Sequence, residues 1–196
     1  MIQKERFYED VTAYVHAHSQ TLVEALSELV RRKSVSSSGE GVADCCEYVI
    51  AQMERIGIET TRYDIRPYPC IVGRLGNDPA KKTVLIYAHY DVQPVGKREL
   101  WRTEPFDPVI RDGKIWGRGT ADNKGPLMAH LLAVDYLKNK LGYLPVNLKF
   151  IFEGCEESSS LGLPEFLAEH KELLKADIVY FSDGSKSHSD EPIIAL

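Results

Sequence analysis

Three short runs of apolar and β-branched residues, TVLIYA at 83–88, VNLKFIF at 146–152 and ADIVYF at 176–181, each end in imidazole, carboxylate or glycine. The first is continuous enough to be a buried central strand, and the other two read as strands beside it. Between and before them the apolar spacing changes to that of helices. Leu127, Leu131, Val134, Tyr136, Leu137 and Leu141 form a stripe that starts at Pro126, where a first helical turn tolerates proline, and stops at Gly142. Residues 163–174 read as a further helix. Val11, Tyr14, Val15, Leu22, Ala25, Leu26 and Leu29 place one long helix, or two abutting ones, over residues 5–32, and residues 42–56 read as another that Gly57 ends. Residues 58–65 and 70–75 are shorter strands, and Asp112-Gly113 within residues 108–117 is a hairpin signal. Strands alternating with helices predict an α/β fold, a three-layer α/β/α sandwich around a largely parallel sheet.

At 196 residues and 43% hydrophobic content the chain can build the core of one domain. Its formal charge of -5 and pI near 5.7 give no electrostatic case for nucleic acid or an anionic membrane surface. The start, MIQKERFYEDVTAYVHAHSQ, has no basic head followed by an apolar run, and no stretch approaches the roughly 18 apolar residues of a membrane span. A cytoplasmic protein is expected. Cys45, Cys46, Cys70 and Cys155 show no C-x-x-C spacing and fit reduced thiols.

In open α/β sheets, ligands bind beyond the carboxyl ends of the strands. Those ends here carry His89-Tyr90-Asp91, then Glu153-Gly154-Cys155-Glu156-Glu157, then Ser182-Asp183-Gly184, while Asp122 lies at a helix start. Singly, each has an ordinary explanation: a core histidine, an N-cap, a turn former, a solvated acidic pair. Jointly, several carboxylates and one imidazole in one crevice repel each other unless cations lie among them. Donors of this type suit zinc, with manganese or cobalt as alternatives. His89 and Asp91, two apart on an extended segment, share a face, so Asp91 can hold the imidazole ring. Adjacent Glu156 and Glu157 cannot point the same way off an extended chain, which divides them between metal ligand and general base. Water on a metal has its pKa lowered toward 7, and a carboxylate that takes its proton makes the nucleophile for amide hydrolysis.

These segments, YAHYDVQPVG at 87–96, WRTEPFDPVIRDGKIWGRGTADNKGP at 101–126, FEGCEESSS at 152–160 and FSDGS at 181–185, resemble the zinc peptidase family that includes glutamate carboxypeptidase, carnosine dipeptidases, peptidase V, aminoacylase and succinyl-diaminopimelate desuccinylase. HYDVQP followed by W…PF…P…DGK…GRG is most similar to the dipeptidase branch. The resemblance implies a sandwich of zinc-peptidase, phosphorylase/hydrolase-like topology holding two Zn2+. It implies that His89 and Asp183 bind one ion, Asp122 bridges both, Glu157 binds the other, Glu156 is the base and Asp91 orients His89. The implied substrate is a small peptide or N-acyl amino acid, cleaved through a metal-bridging water, and a homodimer is open to a full-length form.

The match departs in two respects. Ser159 stands where the family's acidic motif, E-E-S-G-S, has glycine. Family members are also about twice this length, so residues 1–196 are expected to be the N-terminal portion of the catalytic domain, truncated before the lid and the C-terminal catalytic segment. The resemblance implies that the missing part would supply a second-site histidine, a carbonyl-polarising histidine and a carboxylate-binding arginine. His16, His18, His130 and His170 fall in expected helices, and His188, in a polar loop, is the one loop candidate. Residues 192–196 read as a strand just beginning. The rival expectation is a truncated, catalytically silent domain that retains the fold and partial metal binding. A nucleotide-binding domain is disfavoured, since Gly117-Arg118-Gly119 leads into the acidic Ala121-Asp122-Asn123, which repels a pyrophosphate.

Overall fold

The computed structural model describes residues 4–184, so His188 and the strand expected at 192–196 lie outside the described residues. The first half of the chain gives α1 (Lys4–Arg31), α2 (Val42–Arg55), β1 (Glu59–Tyr63), β2 (Cys70–Leu75) and β3 (Thr83–His89). A two-stranded hairpin follows, β4 (Val109–Arg111) and β5 (Lys114–Trp116), turned at Asp112 and Gly113, both with positive φ. Then come α3 (Lys124–Leu141), β6 (Asn147–Glu153), α4 (Leu163–Glu169), α5 (Lys171–Leu174) and β7 (Ile178–Phe181).

The main sheet has the order β1-β2-β6-β3-β7. β3 pairs in parallel with both β6 and β7, while β2 runs antiparallel to β6 and to β1. Four of the five strands therefore point the same way, and only β2 is reversed. Because β3, β6 and β7 are parallel, their carboxyl ends come out on one rim, where His89 is in register with Glu153.

Side chains alternate across this sheet and bury against helices on both faces. Ile86, Ala88, Leu148, Phe150 and Phe152 pack with residues of α1, α2 and α3, including Leu29, Val49, Met53, Leu127 and Leu131. On the other face Leu85, Ile151, Val72 and Cys70 meet Leu163 and Phe166 of α4 and Leu174 of α5. The three expected layers are thus present. One expectation needs correction: residues 163–174 are not one helix, since the chain breaks at His170, the C-cap of α4 and the N-cap of α5. The His170 ring packs at a tilt against Phe166 and Tyr63, and the contact with Tyr63 is a tertiary one that local spacing does not reveal. All four cysteines are buried and free. Among the described residues no helix is long and apolar enough to cross a membrane.

Candidate metal centre

The rim gathers its polar residues from four segments. β3 ends at His89, which is wholly buried, and its Nε2 lies 3.1 Å from Asp122 Oδ1, 3.3 Å from Asp183 Oδ2 and 3.8 Å from Glu156 Oε2. One donor atom each from His89, Asp122 and Asp183 fall within 4.8 Å of one another, the separation that a shared cation requires. Among the described residues this is the one group of three such donors. Asp122 is the most exposed of the three, its side chain 62% exposed.

The other ring nitrogen decides whether such a site can work. His89 Nδ1 is 3.1 Å from the Asp91 carbonyl oxygen and 3.3 Å from Asp91 Oδ1, both acceptors. A proton on Nδ1 is therefore held by Asp91, and the Nε2 lone pair is left facing the carboxylates, the tautomer a metal-binding histidine needs. The donor set and this orientation fit a divalent cation. Burial alone would lower the His89 pKa, but the hydrogen bond to Asp91 and the charges of Asp91, Asp183 and Glu156 outweigh it and push the value up to about 9. Without a metal, imidazolium supplies part of the positive charge that the carboxylates call for.

Asp91 does more than orient the ring. Wholly buried, it accepts the backbone N–H of Glu156 on Oδ1 and that of Glu157 on Oδ2, each at 3.1 Å. Those two bonds hold residues Glu156–Ser158 in a 3₁₀ turn rather than the extended chain assumed from sequence. The two carboxylates have different contacts. Glu156 faces His89, and burial, reinforced by Asp183, Glu157 and Asp91, raises its pKa although His89 pulls it down. Glu157 is held by Gln93, which donates to its carboxylate oxygen at 2.8 Å and to its carbonyl at 3.0 Å. The turn closes at Ser159, whose φ of 72° is left-handed at the position where the resemblance expects glycine.

Beneath the turn lies Glu153, 1% exposed, which accepts the Tyr87 hydroxyl at 2.6 Å and the Ser160 hydroxyl at 2.9 Å on one oxygen. Burial raises its pKa, and those two bonds oppose the rise. Gly154 follows because a Cβ there would come 2.5 Å from the Tyr90 hydroxyl. On the Asp122 side, buried Lys124 donates to the Leu29 and Arg32 carbonyls at the end of α1, and Gly125 lies so close to the Thr120 carbonyl that a side chain would not fit. The sequence assigns no role to Gln93, Asn123 or Lys124, and places Glu153 only as the residue that ends its strand. Only their proximity in sequence to His89, Asp122 and Glu156 could have drawn attention to them.

A histidine and two aspartates at the carboxyl rim of a three-layer sheet define an α/β protein with a site of the kind that holds divalent metal. Residues 85–193, more than half of the chain, match Peptidase family M20/M25/M40, and the chain belongs to that family. It is 47% identical over 131 residues to the Cys-Gly metallodipeptidase of Candida albicans, an alignment covering 64% of this chain and 27% of that protein. The crystal structure of human carnosine dipeptidase 1 superposes with a TM-score of 0.84 at 33% identity, covering 90% of this chain and 41% of that one. An M20 family metallo-carboxypeptidase from Sulfolobus solfataricus gives 0.82 at 35% identity, covering 87% and 39%. The chain thus spans about two fifths or less of the length of these three proteins.

Proposed function

We propose that this chain carries the cation-binding and proton-accepting part of a metal-dependent hydrolase that cleaves the amide bond of dipeptides or small amino-acid conjugates. The observation that carries the reading is the convergence of His89, Asp122 and Asp183, with Glu156 beside them and Asp91 behind the imidazole. Relatives named as Cys-Gly and Beta-Ala-His dipeptidases support the substrate class. We take residues 1–196 as the N-terminal portion of the catalytic domain.

In this reading His89, Asp183 and Asp122 would hold one ion, and Asp122 and Glu157 would hold a second. Two Zn2+ are the expected complement, with Mn2+ or Co2+ as substitutes. When bound, the ions would polarise the scissile carbonyl and acidify water. Glu156 takes the proton of the attacking water and returns it to the departing amine; a carboxylate with a raised pKa suits both transfers. Asp91 keeps the His89 ring in place and, through the two backbone N–H groups, aims Glu156 and Glu157 apart.

A second reading, binding without turnover by these 196 residues alone, is favoured by the donor count. Among the described residues the three-donor group stands alone, and His16, His18 and His130 lie on α1 and α3 while His170 lies between α4 and α5. His130 packs edge-on to Tyr180, and burial pushes its pKa down to about 4.

Calorimetric titration with Zn2+ or Mn2+, paired with hydrolysis assays on Cys-Gly and β-Ala-His, tests both readings. Binding should weaken by more than about 100-fold in His89→Ala, exceeding the usual loss of an outer partner. Where turnover is measurable, Glu156→Gln should retain the cation and lower kcat by a factor on the order of 10² or more. Cation loss in Glu156→Gln but not in Glu157→Gln would exchange those roles. One ion bound without turnover selects the second reading, and a wild-type chain that binds no cation refutes both.

A further inference from the structure

We propose that Asn123 is a positioning residue that sets the separation of Asp122 and Asp183; this rests on the reading of His89, Asp122 and Asp183 as a cation site. Asn123 is 1% exposed and directly follows Asp122. It occupies the N-cap position of α3, where an asparagine side chain ordinarily accepts a backbone N–H of the first turn, yet it makes no such bond. Its Nδ2 instead donates, at 3.0 Å, to the carbonyl oxygen of Ser182, the residue before Asp183. Because a carbonyl can only accept, the amide nitrogen must point at Ser182, and Oδ1 is left buried without a partner among the described residues. Local capping therefore does not account for this side chain, whereas a tether between two carboxylate-bearing segments does.

The two ends of the tether differ in firmness. The Asp122 segment is anchored by Lys124 to the end of α1 and by the close packing of Gly125 on Thr120. Asp183 follows β7, which among the described residues pairs only with β3 and leaves Ile178, Val179, Tyr180 and Phe181 half or more exposed. The amide of Asn123 thus transmits the position of the anchored segment to one that, among the described residues, is held by a single ladder. Asp183 Oδ2 then sits 3.3 Å from His89 Nε2, where Asp122 Oδ1 is already in place at 3.1 Å.

The test is a Zn2+ titration of the chain by calorimetry, with circular dichroism and melting temperature, for wild type, Asn123→Ala, Asn123→Asp and the control Asn147→Ala. Asn147 is also a buried amide, bridging the backbone N–H and carbonyl of Asp78 at the opposite end of β6. The expected result is a loss of Zn2+ affinity of about 10–100-fold in Asn123→Ala, the scale of outer-partner removal. Asn123→Asp should lose at least as much, since it turns an acceptor toward the Ser182 carbonyl, and both should keep wild-type helix content. Asn147→Ala should lower the melting temperature and leave Zn2+ affinity unchanged. The proposal fails if a folded Asn123 variant binds Zn2+ within about threefold of wild type, if Asn147→Ala weakens binding as much, or if neither Asn123 variant folds, which would make the role purely structural. If wild type binds no Zn2+, the cation reading itself fails and the proposal with it; any binding that His89→Ala abolishes keeps the two failures distinguishable.

Discussion

The two edges of the main sheet are finished differently. β1 is a polar edge: Arg62 pairs with Glu47 of α2 at 2.5 Å and with Asp64 at 2.9 Å, and the Thr60 hydroxyl donates to Glu54 at 2.7 Å. Charges and hydroxyls there discourage another strand from adding to the sheet. β7 has the sequence IVYF, with Ile178, Val179, Tyr180 and Phe181 all half or more exposed, and no charge within the strand. The candidate metal centre lies on the β7 side, where Asp183 continues directly from the edge strand. Among the described residues the cation-binding rim thus lies beside the strand with one pairing partner, and a side-chain tie from Asn123 reaches the segment that carries Asp183.

The largest expected effect that would sharpen this contrast is on pH dependence. A cation must displace the proton that His89 holds up to a pKa of about 9, so below that value affinity should fall about tenfold per pH unit from this group alone, roughly 100-fold between pH 8 and 6. For the chelator-treated chain the sign is opposite. The charged His89 stabilises the fold fully below the ordinary imidazole value near 6.5, and that stabilisation is lost as pH rises through 9. Melting temperatures with and without Zn2+, taken from pH 6 to 9, should therefore diverge. Parallel curves would remove His89 from the metal centre.

An intermediate effect is expected on assembly. Val179→Lys should reduce self-association by on the order of tenfold in sedimentation velocity, because it charges an apolar edge, while Thr61→Lys on β1 should change little. Equal effects at the two edges would break the comparison. The smallest concerns the ion pairs of β1: Arg62→Ala should cost at most about 1 kcal/mol in urea unfolding and leave cation binding unaltered, since both partners lie on the surface. A cost of several kcal/mol would mean that the polar edge carries part of the core's stability.

The order of elements, the helical stripe of α3 with its stop at Gly142, and the Asp112-Gly113 hairpin were legible because each depends on spacing within a few residues. The candidate donors were legible for a related reason: parallel strands put their carboxyl ends on one rim, so His89 and Asp183 had to emerge together once the strands were assigned. The break at His170 was not legible, since it follows contacts with Tyr63, over 100 residues away in sequence. Nor was the 3₁₀ turn at Glu156–Ser158, which is held by a carboxylate 65 residues away.

By itself, then, the sequence determined the alternation of strands and helices, the chemical types at the strand ends and the resemblance to a peptidase family, all carried by short-range pattern. Tertiary structure alone decided which nitrogen of His89 faces the carboxylates, that Glu156 turns toward the cluster while Glu157 turns to Gln93, and that Asn123 ties Asp122 to the Asp183 segment. The physical reason is that a side chain's direction at the end of a strand is set by the hydrogen bonds it finds there. Apart from Asp91, two residues from His89, those hydrogen-bond partners arrive from segments 33 to 66 residues away and meet only when the sheet has closed.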